Sequence, residues 1–220
     1  MATATKKQRN YRYVWRYTTI PAVIDILRRR KLPLLNPERW DDRNDRYFMK
    51  LYKQHQRANG LYAMCGALVG ETYHHWRVFS GGRDGACIVF KRRPLECYLQ
   101  DVPNVRFKKI KYIKIKEVKE LQADPYELPF LKRWGFRAEE EYRVIVETGE
   151  RQEEVHMLNL ELDWIDRIYI NPWLPRPIAQ SVIDTLRQLD GCEKLDLRFS
   201  RLTDSSTWKA AGDRIAGITG

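Results

Sequence analysis

An α+β fold, with a mixed, largely antiparallel sheet core and flanking helices, is the class that this sequence predicts. Apolar residues recur at helical spacing in three separate stretches, and between them lie short runs that alternate or are wholly apolar. No internal repeat, linker or low-complexity block interrupts the series. One domain over 11–204, between a basic arm (1–10) and a small polar tail (205–220), is therefore the economical organisation.

A chain of 220 residues is long enough for one sizeable core. Its 43% hydrophobic and 12% aromatic residues exclude a disordered polymer. No apolar run approaches the length of a membrane span, and Met1 to Lys7 lacks an apolar signal core, so the expected setting is the cytoplasm. Cys65, Cys87, Cys97 and Cys192 show no CxxC spacing, which argues for reduced thiols and against a zinc site. The net charge of +11 raises affinity for polyanions through counterion release. It does not by itself choose nucleic acid over a phosphate-bearing small molecule.

In order, Tyr11 to Tyr17 alternates aromatic and basic residues, as a strand with one buried face does. Thr18 and Thr19 offer N-cap hydroxyls and Pro21 suits a first turn. Ile20, Val23, Ile24 and Leu27 then mark a helix, and the cations Arg28, Arg29, Arg30 and Lys31 suit its C-terminal end. Leu32 to Leu35 is extended, and Asn36 to Asp45 reads as a loop dense in turn formers. A second helix follows, with Tyr47, Phe48, Leu51, Tyr52 and His55 on one side and a stop at Asn59-Gly60.

Leu61 to Val69 is almost wholly apolar and reads as a buried strand. The adjacent His74 and His75 diverge on either a helix or a strand, so they do not share a metal ion. Gly81 to Gly85 reads as a hairpin turn before a strand over Ala86 to Phe90. In Arg106 to Lys119 the alternation changes phase. Lys109 and Lys111 share one face and Lys114 and Lys116 the other, which predicts a bulge near Tyr112-Ile113. These lysines either guard an edge strand or form a polyanion stripe, as Arg28, Arg29 and Arg30 would. Leu121 to Trp134 reads as a loop. Val155 to Leu162 and Ile165 to Ile170 read as strands, Ile178 to Leu189 as a helix stopped by Gly191, and Lys194 to Phe199 as the last strand.

Phe136 to Val146 is the stretch with the most chemistry. A run of carboxylates turns directly into strand alternation, and in extended chain Glu139, Glu141 and Arg143 share a face. Charges at that place are costly to bury unless paired or used. They blunt an edge strand, or they form an acidic catalytic pair at the rim of a sheet.

Taken together and in order, several motifs resemble one bacterial family. These are Trp15-Arg16-Tyr17, the Ile20 to Leu27 helix, the Asn36-Pro37 loop ending in Asn44-Asp45, His75-Trp76 leading to Gly85 through Phe90, and Glu139-Glu140-Glu141-Tyr142-Arg143. The family is the one catalogued as domain of unknown function twenty-nine seventy-one, associated with mobile elements and phage conflict. The resemblance runs from about Tyr13 to Leu197. The opening strand and helix are also similar to those of ADP-ribosyltransferases that modify DNA, in which a polar residue between two aromatics contacts NAD. In ADP-ribosyltransferase toxins a strand arginine opens the site, a serine follows on a middle strand, and a Glu-x-Glu precedes a late strand. Arg16, Ser80 and Glu139-Glu140-Glu141 come in that order here. The chain departs from the pattern in having no Ser-Thr-Ser, and in having Arg16 where the DNA-modifying group has histidine.

The resemblance implies an ADP-ribosyltransferase-like fold and NAD as cofactor. Glu141 would face the oxocarbenium-like charge, and Glu139 would deprotonate the acceptor. Arg16 would bind the pyrophosphate, and Tyr17 or Trp76 would stack on nicotinamide. Ser80, Asn44 and Arg143 complete the implied cofactor set. The implied partners are NAD and nucleic acid, with a place for a restraining or activating protein and none for a membrane. Two other functions compete. One is a non-enzymatic nucleic-acid module using the lysine and arginine runs. The other is a metal-dependent nuclease using Asp41, Asp42, Asp45 and the glutamates, disfavoured because these acids lie in unlike contexts.

Overall fold

Thr19 turns the chain from its first strand into its first helix. Its backbone is extended and its hydroxyl accepts from the Ala22 N–H, while a proline occupies the first turn. In the computed structural model, which describes residues 11–217, strand β1 (Tyr13–Thr19) leads through this cap into helix α1 (Ile20–Arg29). The helix ends on Arg30, a left-handed residue at φ 54°. Strand β2 (Lys31–Leu35), helix α2 (Arg43–Gln56) and strand β3 (Gly60–Ala67) follow. After them come helix α3 (Tyr73–Phe79), strand β4 (Gly85–Lys91) and helix α4 (Arg92–Asp101). The chain continues with strands β5 (Val105–Lys109), β6 (Lys111–Ile113), β7 (Leu131–Arg133), β8 (Glu141–Thr148), β9 (Val155–Asn159) and β10 (Ile165–Ile170). Helix α5 (Arg176–Arg187), strand β11 (Leu197–Phe199) and helix α6 (Ser206–Ile215) complete it. The class is α+β, and the expected basic arm lies outside the described residues.

The chain divides into two compact units, each discontinuous in sequence. Among the described residues, the first holds 11–15, Leu32–Val69 and Phe90–Leu158. Its spine is β3, which pairs antiparallel with β8 from Gly60↔Thr148 to Ala67↔Glu141. Strand β5 lies antiparallel on the far edge of β8, from Val105↔Val146 to Lys109↔Tyr142. The other edge of β3 receives β1 at Trp15↔Ala67 and β2 at Leu35↔Ala63. At Gly66 an added Cβ would stand 2.6 Å from Val14 Cγ1, so this close approach of β1 requires glycine. One face of this sheet is sealed by α2 and by the turn of 3₁₀ helix at Pro125–Phe130. There Met49, Tyr52 and Phe130 pack with Leu61, Ala63, Ile110 and Ile145.

Among the described residues, the second unit holds Arg16–Lys31, Gly70–Val89 and 159–217. Within it the strands run β11-β10-β4-β1, with β10 and β11 parallel. Its core is built from Val23, Ile26 and Leu27 of α1, Ala86 to Val89 of β4, and Ile183 and Leu186 of α5.

Several local expectations are corrected. Helix α2 begins at Arg43 because Asp42 caps it, so its buried face is Asp45, Met49 and Tyr52, and Tyr47 is exposed. The glycine turn at Gly81 and Gly82 is no hairpin; it joins α3 to β4, with both glycines at positive φ. The phase change in the lysine-rich stretch is a break between β5 and β6, not a bulge at Tyr112-Ile113. Ile110 turns inward there and its N–H donates to the Glu141 carbonyl at 2.9 Å. Lys114 and Lys116 accordingly lie beyond the strands. Within the supposed loop at 121–134 the short β7 pairs in parallel with β6.

Candidate active site

The acidic stretch is not one continuous strand. Glu139 ends a 3₁₀ helix over Trp134–Glu139, Glu140 takes the left-handed conformation at φ 43°, and β8 starts only at Glu141. A non-glycine residue at positive φ is held there by its surroundings. Here the Glu140 carbonyl accepts from Leu68 N–H at 2.9 Å, and Glu141 N–H donates to the Tyr112 hydroxyl at 2.9 Å. The kink separates the three carboxylates. Glu140 turns to Lys109 and the Tyr11 hydroxyl, while Glu139 and Glu141 meet on Lys132.

Lys132, from β7, is the residue on which the cluster is built. Its Nζ lies 2.6 Å from Glu139 Oε2, 3.0 Å from Glu141 Oε2 and 3.6 Å from Asp45 Oδ2. The other oxygen of Glu141 accepts from Arg143 Nε at 2.8 Å. The Arg143 guanidinium in turn grips Asp45 with both ends, at 2.9 and 2.7 Å, and gives a further bond to the Pro129 carbonyl at 2.7 Å. The Trp40 ring covers it at 4.7 Å. Such bidentate, charge-assisted bonds fix geometry as well as charge.

The cluster drives its two glutamates apart. Burial pushes the Glu139 carboxyl up to about 7, against the pull of Lys132. Burial acts the same way on Glu141, but Arg143 and Lys132 outweigh it and bring that carboxyl down to about 2. Burial would lower Lys132, and the three facing carboxylates instead hold its ammonium well above the usual range. At neutral pH the site therefore presents one permanent carboxylate and one able to take or give a proton. That is the pairing on which acid–base chemistry relies.

This is the face that α2 covers over Ala63 and Ile145, and it opens to solvent at Cys65. Cys65 stands directly across β3 from Arg143 and is exposed, while the neighbouring row across the strands is Trp15, Ala67 and Glu141. Directly opposed residues point to the same side. Trp15 is half-buried, so an aromatic edge lies in the same row as the acid.

Of the other residues singled out from the sequence, Asn44 is exposed in the first turn of α2, with its N–H and side-chain amide on Asp42 Oδ1. Lys109 is spent on Glu140, and Lys114 lies 3.7 Å from Glu117 with Trp134 beneath it. Lys111 and Lys116 are exposed. Arg16, Tyr17, Trp76, Ser80, Arg28, Arg29 and Arg30 belong to the second unit. There the Tyr17 ring stacks on His75 at 5.3 Å and meets the edge of Trp76 at 5.1 Å, and Arg16 is buried. Ser80 does not sit on a strand. It closes α3, donates to the Trp76 carbonyl at 2.5 Å and accepts from Asn171 Nδ2 at 3.2 Å. Arg28 and Arg29 are exposed, the latter paired with Asp25, and Arg30 bonds the Asp190 carbonyl and Cys192.

Lys132 and Asp45 are functional candidates that sequence reasoning missed in this role, along with Asn171 in the second unit. Asp45 carried a signal, since Asp45, Met49 and Tyr52 follow helical spacing. Lys132 carried none, because its strand has only three residues. Among the described residues no group of three or more histidine, cysteine or carboxylate side chains is placed to hold a metal ion, and no helix is long and apolar enough to cross a membrane.

No family model matches the chain, and none of the curated proteins matches it. Among solved structures, three chains of Thermus sp. 2.9 DarT are similar to it. In complex with NAD+ the match covers 87% of this chain and 96% of that one, at 13% identity and a TM-score of 0.42. In complex with carba-NAD+ it covers 87% and 97%, at 13% identity and 0.44. In complex with ADP-ribosylated ssDNA it covers 87% and 95%, at 12% identity and 0.45. At these scores the likeness carries no argument about the residues or the chemistry of this chain.

Proposed function

We propose that this protein is an NAD-dependent ADP-ribosyltransferase-like enzyme acting on nucleic acid or protein. The observation that supports the reading is the divergence of Glu139 and Glu141 on the shared Lys132, on the face of the sheet that opens to solvent at Cys65. Transfer of ADP-ribose breaks the bond between the ribose C1′ and the nicotinamide nitrogen. The electron pair goes to the ring, which leaves neutral, and positive charge grows on the ribose. Glu141, ionised at every physiological pH, is the charge that lowers this barrier. The acceptor attacks C1′ and its proton goes to Glu139, whose basicity near neutrality suits that task. Arg16, Tyr17, Trp76, Ser80, Asn44 and Arg143 stay in the proposal as the cofactor set implied by resemblance. Each is tested by its own substitution against NAD affinity. The proposed setting is cytoplasmic phage conflict or toxicity, with a restraining or activating protein partner.

Nicotinamide release from NAD tests the proposal. Glu139→Gln is expected to lower the rate by about 10²–10⁴-fold with the fold intact, the usual worth of a positioned base. Glu141→Gln is expected to abolish it. A wild-type protein that releases no nicotinamide with any nucleic acid or protein acceptor would sink the reading.

A second reading is favoured by one observation: both oxygens of Glu141 are committed to internal ion pairs. On it the chain is a non-enzymatic nucleic-acid module and the acids only pair basic neighbours. It requires salt-sensitive nucleic-acid affinity that Glu141→Gln leaves unchanged and that Lys111→Glu with Lys116→Glu weakens.

A further inference from the structure

The cations at the end of α1 line a cleft inside the second unit. Its volume is about 620 Å³, the size that holds a small organic ligand. Arg29, Arg30 and Lys31 come from the junction of α1 and β2, and 159–164 from the end of β9 and the turn after it. The Leu160 N–H donates to the Arg30 carbonyl at 3.0 Å and joins the two segments, while the Arg30 N–H donates to the Ile26 carbonyl. Two carbonyls that would repel an anion at a helix C-terminus are thereby occupied. The charges of the cleft are separated. Arg29 pairs with Asp25, but that pair is exposed and weak. Arg30 bonds the Asp190 carbonyl and the Cys192 thiol, and Lys31 bonds the Asn159 amide oxygen at 2.5 Å. Among the described residues no carboxylate lies within ion-pairing distance of Arg30 or Lys31, so neutral acceptors alone hold these two positive charges. The other segment contributes the exposed Glu161 and Asp163 and the half-buried Trp164.

We propose that this cleft binds a nucleoside monophosphate, with the phosphate on Arg30 and Lys31 and the base against Trp164. A phosphate takes paired bonds from a guanidinium and a compact point charge from an ammonium. A base of any kind stacks on an indole face. Glu161 and Asp163 accept from the ribose hydroxyls or from amino groups of the base, and they repel a second phosphate. A continuing nucleic-acid chain brings a charge with every nucleotide and is therefore disfavoured. The cleft shares no residue with the cofactor set of the transferase reading and does not depend on that reading.

Isothermal titration calorimetry of the full chain with AMP, adenosine and inorganic phosphate tests the site. AMP is expected to bind about tenfold or more tighter than either control, since each lacks one half of the contacts. Lys31→Gln, and Arg30→Gly at a left-handed position that suits glycine, are each expected to weaken AMP by about tenfold or more, the loss of one charge-assisted bond. No binding of AMP, or an affinity unchanged in both variants, overturns the proposal. So does a single-stranded oligonucleotide without terminal phosphates that competes as strongly as AMP, because the cleft is then a groove for a nucleic-acid chain. Wild type gives a readout that needs no variant. Saturating AMP is expected to slow acetylation of Lys31 severalfold, followed by mass spectrometry, and adenosine is not. Equal labelling of Lys31 with and without AMP overturns the proposal even if neither variant folds. The transferase reading is decided separately, by release of nicotinamide from NAD.

Discussion

The ionic cluster of the first unit and the hydroxyl-amide cluster around Ser80 in the second satisfy their buried polar groups in opposite ways. Around Lys132 every ion-pair and hydrogen-bond partner is a charge, held by other charges across four chain segments. Around Ser80 the partners are neutral: its hydroxyl bonds a helix carbonyl, and Asn171 Nδ2 reaches Ser80 Oγ and the Gly82 carbonyl. The difference teaches where chemistry is available. A site made of ions changes state when a proton or a foreign charge arrives. One made of a hydroxyl and amide bonds changes only by losing contacts. The first cluster can gain or lose charge, and the second holds its geometry through neutral bonds.

The strongest way to break this comparison is to remove the charge at the centre of the first cluster. Arg143→Met leaves Asp45 and Glu141 buried without the guanidinium that binds both. Stability measured by urea unfolding at pH 7 is expected to fall by about 3–5 kcal/mol, the cost of stranding a buried charge. The loss should shrink as pH falls and Glu141 takes up a proton. A loss below about 1 kcal/mol would mean that water already satisfies the carboxylates, and the ionic account of the cluster would fail.

Glu139→Gln tests the protonation state directly. The folded-state Glu139 carboxyl lies near 7, above its ordinary value of 4.5, so folding favours the protonated form. Its contribution is complete below pH 4.5 and is lost as pH rises to 7. Wild type is expected to lose about 3 kcal/mol across that window relative to Glu139→Gln, which cannot ionise. Glu141 has the opposite sign, because its folded value of about 2 lies below the ordinary one. Its contribution is present above pH 4.5 and disappears as pH falls to 2. Stability owed to this pair therefore peaks near pH 4.5, and parallel pH profiles for wild type and Glu139→Gln would refute the assignment.

Much of the framework was legible because it rests on local patterns. The apolar run Ala86 to Phe90, the spacing of Val23 and Leu27, and the cap at Thr19 each announce an element without tertiary help. The pair Glu139 and Glu141 was also visible, as charge at the mouth of a strand. What sequence could not reveal is the company they keep. Arg143 meets Asp45 across 98 residues of chain, and among Asp41, Asp42 and Asp45 nothing local marks the one that points inward. Lys132 sits on a strand too short for alternation to register. Even the shared face of the two glutamates arises differently from the expectation, through the left-handed turn at Glu140 and not through extended chain. Asn171 is a turn former, since its Oδ1 accepts from Trp173 N–H at 2.9 Å, and it also carries the buried amide that ties Ser80 to Gly82.

The smallest effect is expected at Ser80, and it separates the two clusters most cleanly. Ser80→Ala removes the hydroxyl that donates to the Trp76 carbonyl and accepts from Asn171 Nδ2. Asn171 keeps its stronger bond to the Gly82 carbonyl at 2.7 Å, so one buried acceptor is left short of a donor. The cost by urea unfolding is expected to be about 1 kcal/mol, the net worth of one neutral hydrogen bond. No member of that local set changes charge when Ser80 is removed, so the difference from wild type should stay flat between pH 4.5 and 7. That is the window in which Glu139→Gln diverges. Were the Ser80→Ala difference instead to drift with pH as the Glu139→Gln difference does, the neutral cluster would be linked to a titrating group. The division between an ionic cluster and a neutral one would then have to be abandoned.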